Sequence, residues 1–181
     1  LPITIIAVAL LLAACATAPP PAAAPVGEER FLIDPRLGWN RPATEDLDRR
    51  FNAAWARLRA GQYEDARRRF TGIQEGNPDY LPALLAQAVI ELRENRLDAA
   101  RNIVRRVQDR APEFTAARYY EGEIALAQRQ LRSAWETFRA LSAAPDAPPA
   151  VAERLRQVEG QLFAELYTAA QSAPDLEAVR L

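Results

Sequence analysis

Between residues 44 and 148 the chain repeats itself every 34 residues, and a period of that length admits few folds. Written in rows of 34, RAGQYEDARRRFTGIQEGNP, RENRLDAARNIVRRVQDRAP and AQRQLRSAWETFRALSAAPD fall beneath one another. Tyr63, Leu97 and Leu131 share a column, as do Ala66, Ala100 and Ala134. So do Phe70, Val104 and Phe138, and Ile73, Val107 and Leu141. Upstream, Phe51, Leu85 and Tyr119 align, followed by Ala54, Ala88 and Gly122, then Leu58, Leu92 and Leu126. Pro78 and Pro112 close the first two rows, and Pro145 closes the third one residue early.

Within each row apolar residues recur three and four apart, the helical period, so a row parses as helix, tight turn, helix. Gly61 and Asn95 stand where the two helices must reverse, and both tolerate a left-handed backbone. Arg129 holds that place in the third row and suits it less well. The alanine column (Ala66, Ala100, Ala134) lets two helices approach closely. Each closing proline ends a helix, because it lacks a donor and clashes with the preceding turn. Thr44 before Glu45 and Asp46 reads as an N-cap with acids in the first turn.

On these columns the chain resembles the tetratricopeptide repeat family over roughly residues 44–148. The tryptophan usual near the start of the first helix is missing. The resemblance implies an all-α, right-handed superhelical solenoid of helix-turn-helix repeats at about 47–80, 81–114 and 115–148. Three repeats are about the minimum for a stable stack, since each buries its face only against neighbours. Beyond them, Val151, Leu155, Val158, Leu162 and Leu166 continue a helical period from Ala150 to about Gln171. This stretch of 149–181 reads either as a capping helix or as part of a truncated fourth repeat. SAPDLEAVRL then looks like the opening of another helix, and Val179 and Leu181 give no polar outer face, which favours a chain cut within a further repeat.

In that family the first helix of each repeat lines a concave groove, which implies a protein-binding surface here. The matching positions are Phe51, Trp55 and Leu58, then Leu85, Val89 and Leu92, then Tyr119, Glu123 and Leu126, with Arg59 and Arg93 beside them. A largely apolar groove with two guanidinium groups suits an extended or helical peptide. For Leu58, Leu92 and Leu126 packing on neighbouring helices is the stronger expectation; for Phe51 and Trp55 packing and binding stay open. The relatives that grip C-terminal carboxylates use a Lys/Asn/Arg set, and this chain has no Lys, with Trp55 and Val89 where those Asn would fall. The arginine runs Arg67–Arg69 and Arg105–Arg106 lie on second helices. Glu64 and Asp65, four residues before Arg68 and Arg69, can pair with them on a solvated convex face; binding of phosphate or an acidic glycan is the other reading.

The apolar island FLIDPRLGW (Phe31–Trp39) precedes the repeats and holds too many hydrophobic residues for a solvated linker. It is expected to fold back on the first repeat and fill part of the groove; a docking segment for a partner is the other reading.

The only cysteine, Cys15, stands where twelve nearly unbroken apolar residues, Ile3 to Ala14, give way to ATAPPPAAAP. A membrane-spanning helix needs about 20 such residues, and a run of 10–14 suits a signal peptide. Leu12-Ala13-Ala14-Cys15 resembles the bacterial lipobox, in which the cysteine is acylated and becomes the mature N-terminus. The resemblance implies a signal peptide at 1–14, a lipid anchor on Cys15 and a place in the cell envelope. Ala16 in place of Asp tilts the expectation towards the periplasmic face of the outer membrane. Two or more acyl chains anchor stably where one does not. Residues 15–43 begin with Pro19, Pro20, Pro21 and Pro25, a semi-rigid spacer. The chain starts without Met, and its first residues are read as missing.

Composition narrows the chemistry. There is no His, and all 23 basic residues are Arg, so imidazole bases, Schiff-base lysines and Walker-type phosphate lysines are excluded. A lone cysteine makes neither an internal disulfide nor a thiolate zinc cluster. A formal charge of -1 gives no global field for nucleic acid. No cofactor or metal is implied. The expected partner is another envelope protein or peptide segment, with the membrane reached through lipid on Cys15. The competing expectation is a carboxylate-based hydrolase or lyase acting on cell-wall glycan, with Glu123 the best-placed acid, or a regulatory module of a longer chain whose catalytic domain lies beyond Leu181.

Overall fold

Thr44 caps as its position demands: its hydroxyl accepts from the Leu47 N–H at 3.2 Å, and α1 (Glu45–Arg59) begins at the next residue. The computed structural model describes residues 29–172. After α1 come α2 (Tyr63–Gly76), α3 (Leu81–Arg93), α4 (Leu97–Gln108), α5 (Thr115–Ala127), α6 (Leu131–Ser142) and α7 (Pro149–Ser172). Each helix packs on the one before and the one after, and α1, α3 and α5 also touch in sequence. No strand occurs among the described residues. The result is an all-α helix-turn-helix solenoid.

The same turn is built three times. Gln62 N–H donates to Arg57 O at 2.9 Å and Gly61 N–H to Leu58 O at 2.9 Å, the six-to-one and five-to-two pair that closes a helix through a left-handed residue. Arg96 and Asn95 repeat it onto Glu91 and Leu92, as do Gln130 and Arg129 onto Ala125 and Leu126. The left-handed residues are Gly61 (φ 73°), Asn95 (φ 59°) and Arg129 (φ 58°). Arg129 therefore accepts the strained conformation, which costs a side chain with a Cβ about 1–2 kcal/mol. Tertiary packing on both sides of the turn overrides local preference there.

The alanine column is fully buried, with Ala66, Ala100 and Ala134 all at 0% exposure. Phe70, Val104, Phe138, Ile73, Val107 and Leu141 pack beside it in one continuous core. In the third repeat Gly122 takes the place of Ala54 and Ala88 because the Phe138 ring needs the room. A Cβ on Gly122 would stand 2.7 Å from that ring.

The fourth unit departs from the pattern. Its helix, α7, runs 24 residues without a break through the place where earlier repeats turn, about 36 Å at 1.5 Å per residue. Val151 and Val158 are buried, with Leu155 and Leu162 half-buried beside them. From Phe163 to Gln171 the side chains stand in solvent, and Leu166, grouped with the packed positions on periodicity, is 69% exposed. Long as it is, α7 is not apolar enough to cross a membrane. Residues 173–181, on which the further helix was expected, lie outside the described residues, as do 1–28 with Cys15.

Candidate protein-binding groove

Phe31–Trp39 lies as an irregular strap against the first helices of the repeats. Phe31 and Ile33 are buried. The Tyr119 hydroxyl donates to Phe31 O at 2.9 Å and the Tyr120 hydroxyl to Ile33 O at 2.5 Å. One turn earlier in α5, the Ala116 N–H donates to Leu37 O at 3.1 Å. This amide belongs to the first turn of a helix, which has no partner within it, so the strap supplies what the helix start lacks. Gly38, at φ 78°, lies so close to α5 that an added Cβ would stand 2.5 Å from Thr115 Oγ1. The strap does reach the first repeat: the Arg36 guanidinium sits 4.6 Å over the Phe51 ring and 3.5 Å from Asp48. Its hydrogen bonds, however, run to the third repeat rather than the first, where the sequence alone placed it.

Beside the strap the concave face keeps an open cleft of about 420 Å³. Val89, Leu92 and Arg93 come from α3, and Tyr120, Glu123 and Leu126 from α5. Phe31 and Leu32 form the strap's wall, and Arg154 the wall of α7. Of the groove residues expected from the columns, Val89, Leu92, Arg93, Glu123 and Leu126 thus meet at one cleft. The others do not. Phe51, Leu85 and Tyr119 are fully buried: Phe51 packs edge-on against Phe70 at 5.2 Å and Tyr119 against Phe138 at 5.8 Å. Their column faces the neighbouring helix and the strap, so they offer no surface to a ligand. Leu58 is buried likewise. Trp55 is half-buried against the core, and exposed Arg59 lies 3.9 Å from Glu29.

Arg154 was not anticipated. It falls on no extension of the groove columns by 33 or 34 residues, and only the packing of α7 brings it here. Its guanidinium grips Glu123 with two hydrogen bonds of 2.5 Å each and lies 3.5 Å over the Phe31 ring. Burial pushes the Glu123 carboxyl above its ordinary range, and the Arg154 pair opposes that rise. With each oxygen accepting from Arg154, the Glu123 carboxylate is held in a bidentate, charge-assisted pair. Burial also raises the Tyr119 and Tyr120 phenols, which keeps both as neutral donors to the strap. Tyr80, beside Trp39 at 6.3 Å, is pushed up to about 12 by burial. The Tyr80 hydroxyl and the Trp39 indole N–H are both buried with no partner among the described residues.

The arginine runs divide. Arg69 pairs with Asp65 at 3.0 Å as the spacing suggests, but Glu64 lies 3.7 Å from Arg67 rather than pairing with Arg68. Arg67 is no convex-face residue. It reaches across to α3, where it and Arg96 bond to both Glu91 and Glu94.

A family model for the tetratricopeptide repeat matches residues 57–118, from the end of α1 into α5. Neither the comparison with curated proteins nor that with solved structures returned a match.

Proposed function

Residues 57–118 are tetratricopeptide repeats, a protein-interaction module, and on that premise we propose that the chain is a lipid-anchored scaffold of the bacterial cell envelope. In this reading Cys15 carries the acyl chains and residues 16–29 form the spacer. The repeat stack then holds a segment of another envelope protein during assembly of a larger machine, at the periplasmic face of the outer membrane. The anchor rests on the Leu12–Cys15 motif after its apolar run. The binding role rests on one observation: the concave face keeps a cleft of about 420 Å³ with an apolar floor (Val89, Leu92, Leu126) and a charged rim (Arg93, Glu123, Arg154). That mixture fits a peptide with apolar anchors and polar ends. The glycan-hydrolase alternative loses ground because its best acid is held by Arg154 through both oxygens.

Two measurements test the proposal. Labelled palmitate fed to cells should enter the intact chain and not the Cys15→Ser variant, which should leave the membrane fraction. A photo-crosslinking residue at Leu92 in the full chain should capture an envelope protein, and the same group at exposed Arg106 should not. Equal capture at both positions, or a membrane-bound Cys15→Ser, would overturn the corresponding half.

A further inference from the structure

The strap does more than cover apolar surface, because every hydrogen bond that α5 gives it ends on main-chain oxygen: Phe31 O, Ile33 O and Leu37 O. Acceptors of that kind exist in any extended peptide. What is specific to this one is an aromatic ring under the Arg154 guanidinium and a buried aliphatic side chain two residues later at Ile33, while the Asp34 carboxylate is bound within the strap by Arg36. We propose that the concave face is a receptor for an extended aromatic–Leu–aliphatic segment of a partner protein, and that Phe31–Ile33 is its resident, exchangeable occupant.

Four features support exchange over permanent incorporation. The helices pack on one another directly, Phe51 on Phe70 and Tyr119 on Phe138, and the strap adds Phe31 and Ile33 to that core from outside the helix pairs. Only Asn40–Ala43 and the Thr44 cap separate the strap from α1, so it swings off without unwinding a helix. The seat is imperfect at the far end, where the Trp39 N–H and the Tyr80 hydroxyl are buried with no partner among the described residues, which works against the seated state. Finally, the open cleft touches Phe31 and Leu32 directly, which gives a competing segment a place to bind before the strap leaves. Because the strap is tethered, it competes at an effective concentration of about millimolar or higher. A partner's apparent affinity is therefore reduced by the fraction of time the strap is seated.

The proposal rests on the concave face being a binding face, and its test separates the two. The probe is a labelled peptide of sequence RFLIDPRLGW, added to the full chain and to the full chain carrying Phe31→Ala and Ile33→Ala. The released variant should keep its helical circular dichroism and bind the peptide at least tenfold more tightly than the unaltered chain. Adding Tyr120→Phe to it should remove at least tenfold of that affinity. Equal binding by both chains sinks the proposal, as does loss of helix in the released variant and in a second one, Gly38→Ala, because the strap is then part of the core. Dimers of the unaltered chain held by mutually exchanged straps would also overturn it, since the occupant would be a second copy. A partner cross-linked at Leu92 equally well with and without release would leave the scaffold reading standing and remove this one.

Discussion

Phe31 and Phe163 stand near opposite ends of the described chain, each within a run of apolar side chains outside the repeat columns. Phe31 is 6% exposed and Phe163 is 71% exposed. The strap around Phe31 has no regular structure, so its carbonyls need donors; α5 offers two tyrosine hydroxyls and the free amide of its first turn. Backbone need and side-chain burial are met in one place. The α7 stripe of Phe163, Leu166 and Tyr167 belongs to a helix whose backbone bonds are already closed. Only its side chains can recruit cover, and Phe163 and Tyr167 stack on each other instead, at 6.3 Å. An irregular segment is thus drawn into a groove for two reasons, and a helical stripe for one.

The same substitution at both ends tests this contrast most directly. Phe31→Ala should cost about 3 kcal/mol in urea unfolding, the scale for truncating a buried aromatic; a loss below about 0.5 would mean the strap is not seated in solution. Glu91→Gln serves as a reference inside the stack, away from both ends. Hydrogen bonding from Arg96 holds the Glu91 carboxyl below its usual range, with burial opposing and Arg67 assisting. A carboxylate depressed in the folded state stabilises above its unfolded pKa and loses that contribution as pH falls through the folded one. The variant should therefore be about 2 kcal/mol less stable at pH 7, with the gap closing below the ordinary carboxylate range. Tyr120→Phe removes the donor to Ile33 O and should cost about 1.5 kcal/mol; an unchanged midpoint would reduce the strap to a purely apolar attachment. Arg129→Gly should raise stability by about 0.5 to 1 kcal/mol by relieving the left-handed strain, since its ion pair with Glu165 is exposed at 3.5 Å and contributes little. Phe163→Ala should fall within about 0.5 kcal/mol of the parent. A larger loss there would show that the stripe is covered in solution and would erase the contrast.

Much of the solenoid is legible in the sequence because its determinants are local and periodic. The proline stops, the alanine column and the reversals at Gly61 and Asn95 each act within a few residues. Arg129 is ill-suited as a turn residue and turns anyway, because flanking helices with the same packed columns impose the turn on it. The groove is less legible. Column arithmetic finds which residues share a face, but not that Phe51, Leu85 and Tyr119 are consumed by packing while Arg93 and Glu123 stay at the surface of a cleft. The strap's apolar content announces burial; its partners lie 87 and 88 residues away, and no period links them. Arg154 is the clearest omission, a residue on no column whose role arises only from the way α7 docks on α6.

The order of elements along the chain makes the strap a mechanical fuse. Residues 1–28 join the structure at Glu29, ahead of every helix from α1 to α7. A pull applied through them loads the exposed Glu29–Arg59 and Arg30–Glu153 pairs and then the Tyr119 and Tyr120 hydroxyl bonds, before it runs along any helix from α1 to α7. The strap would peel from the groove under such tension while the solenoid stayed wound, so a pull on the N-terminal side alone would open the concave face.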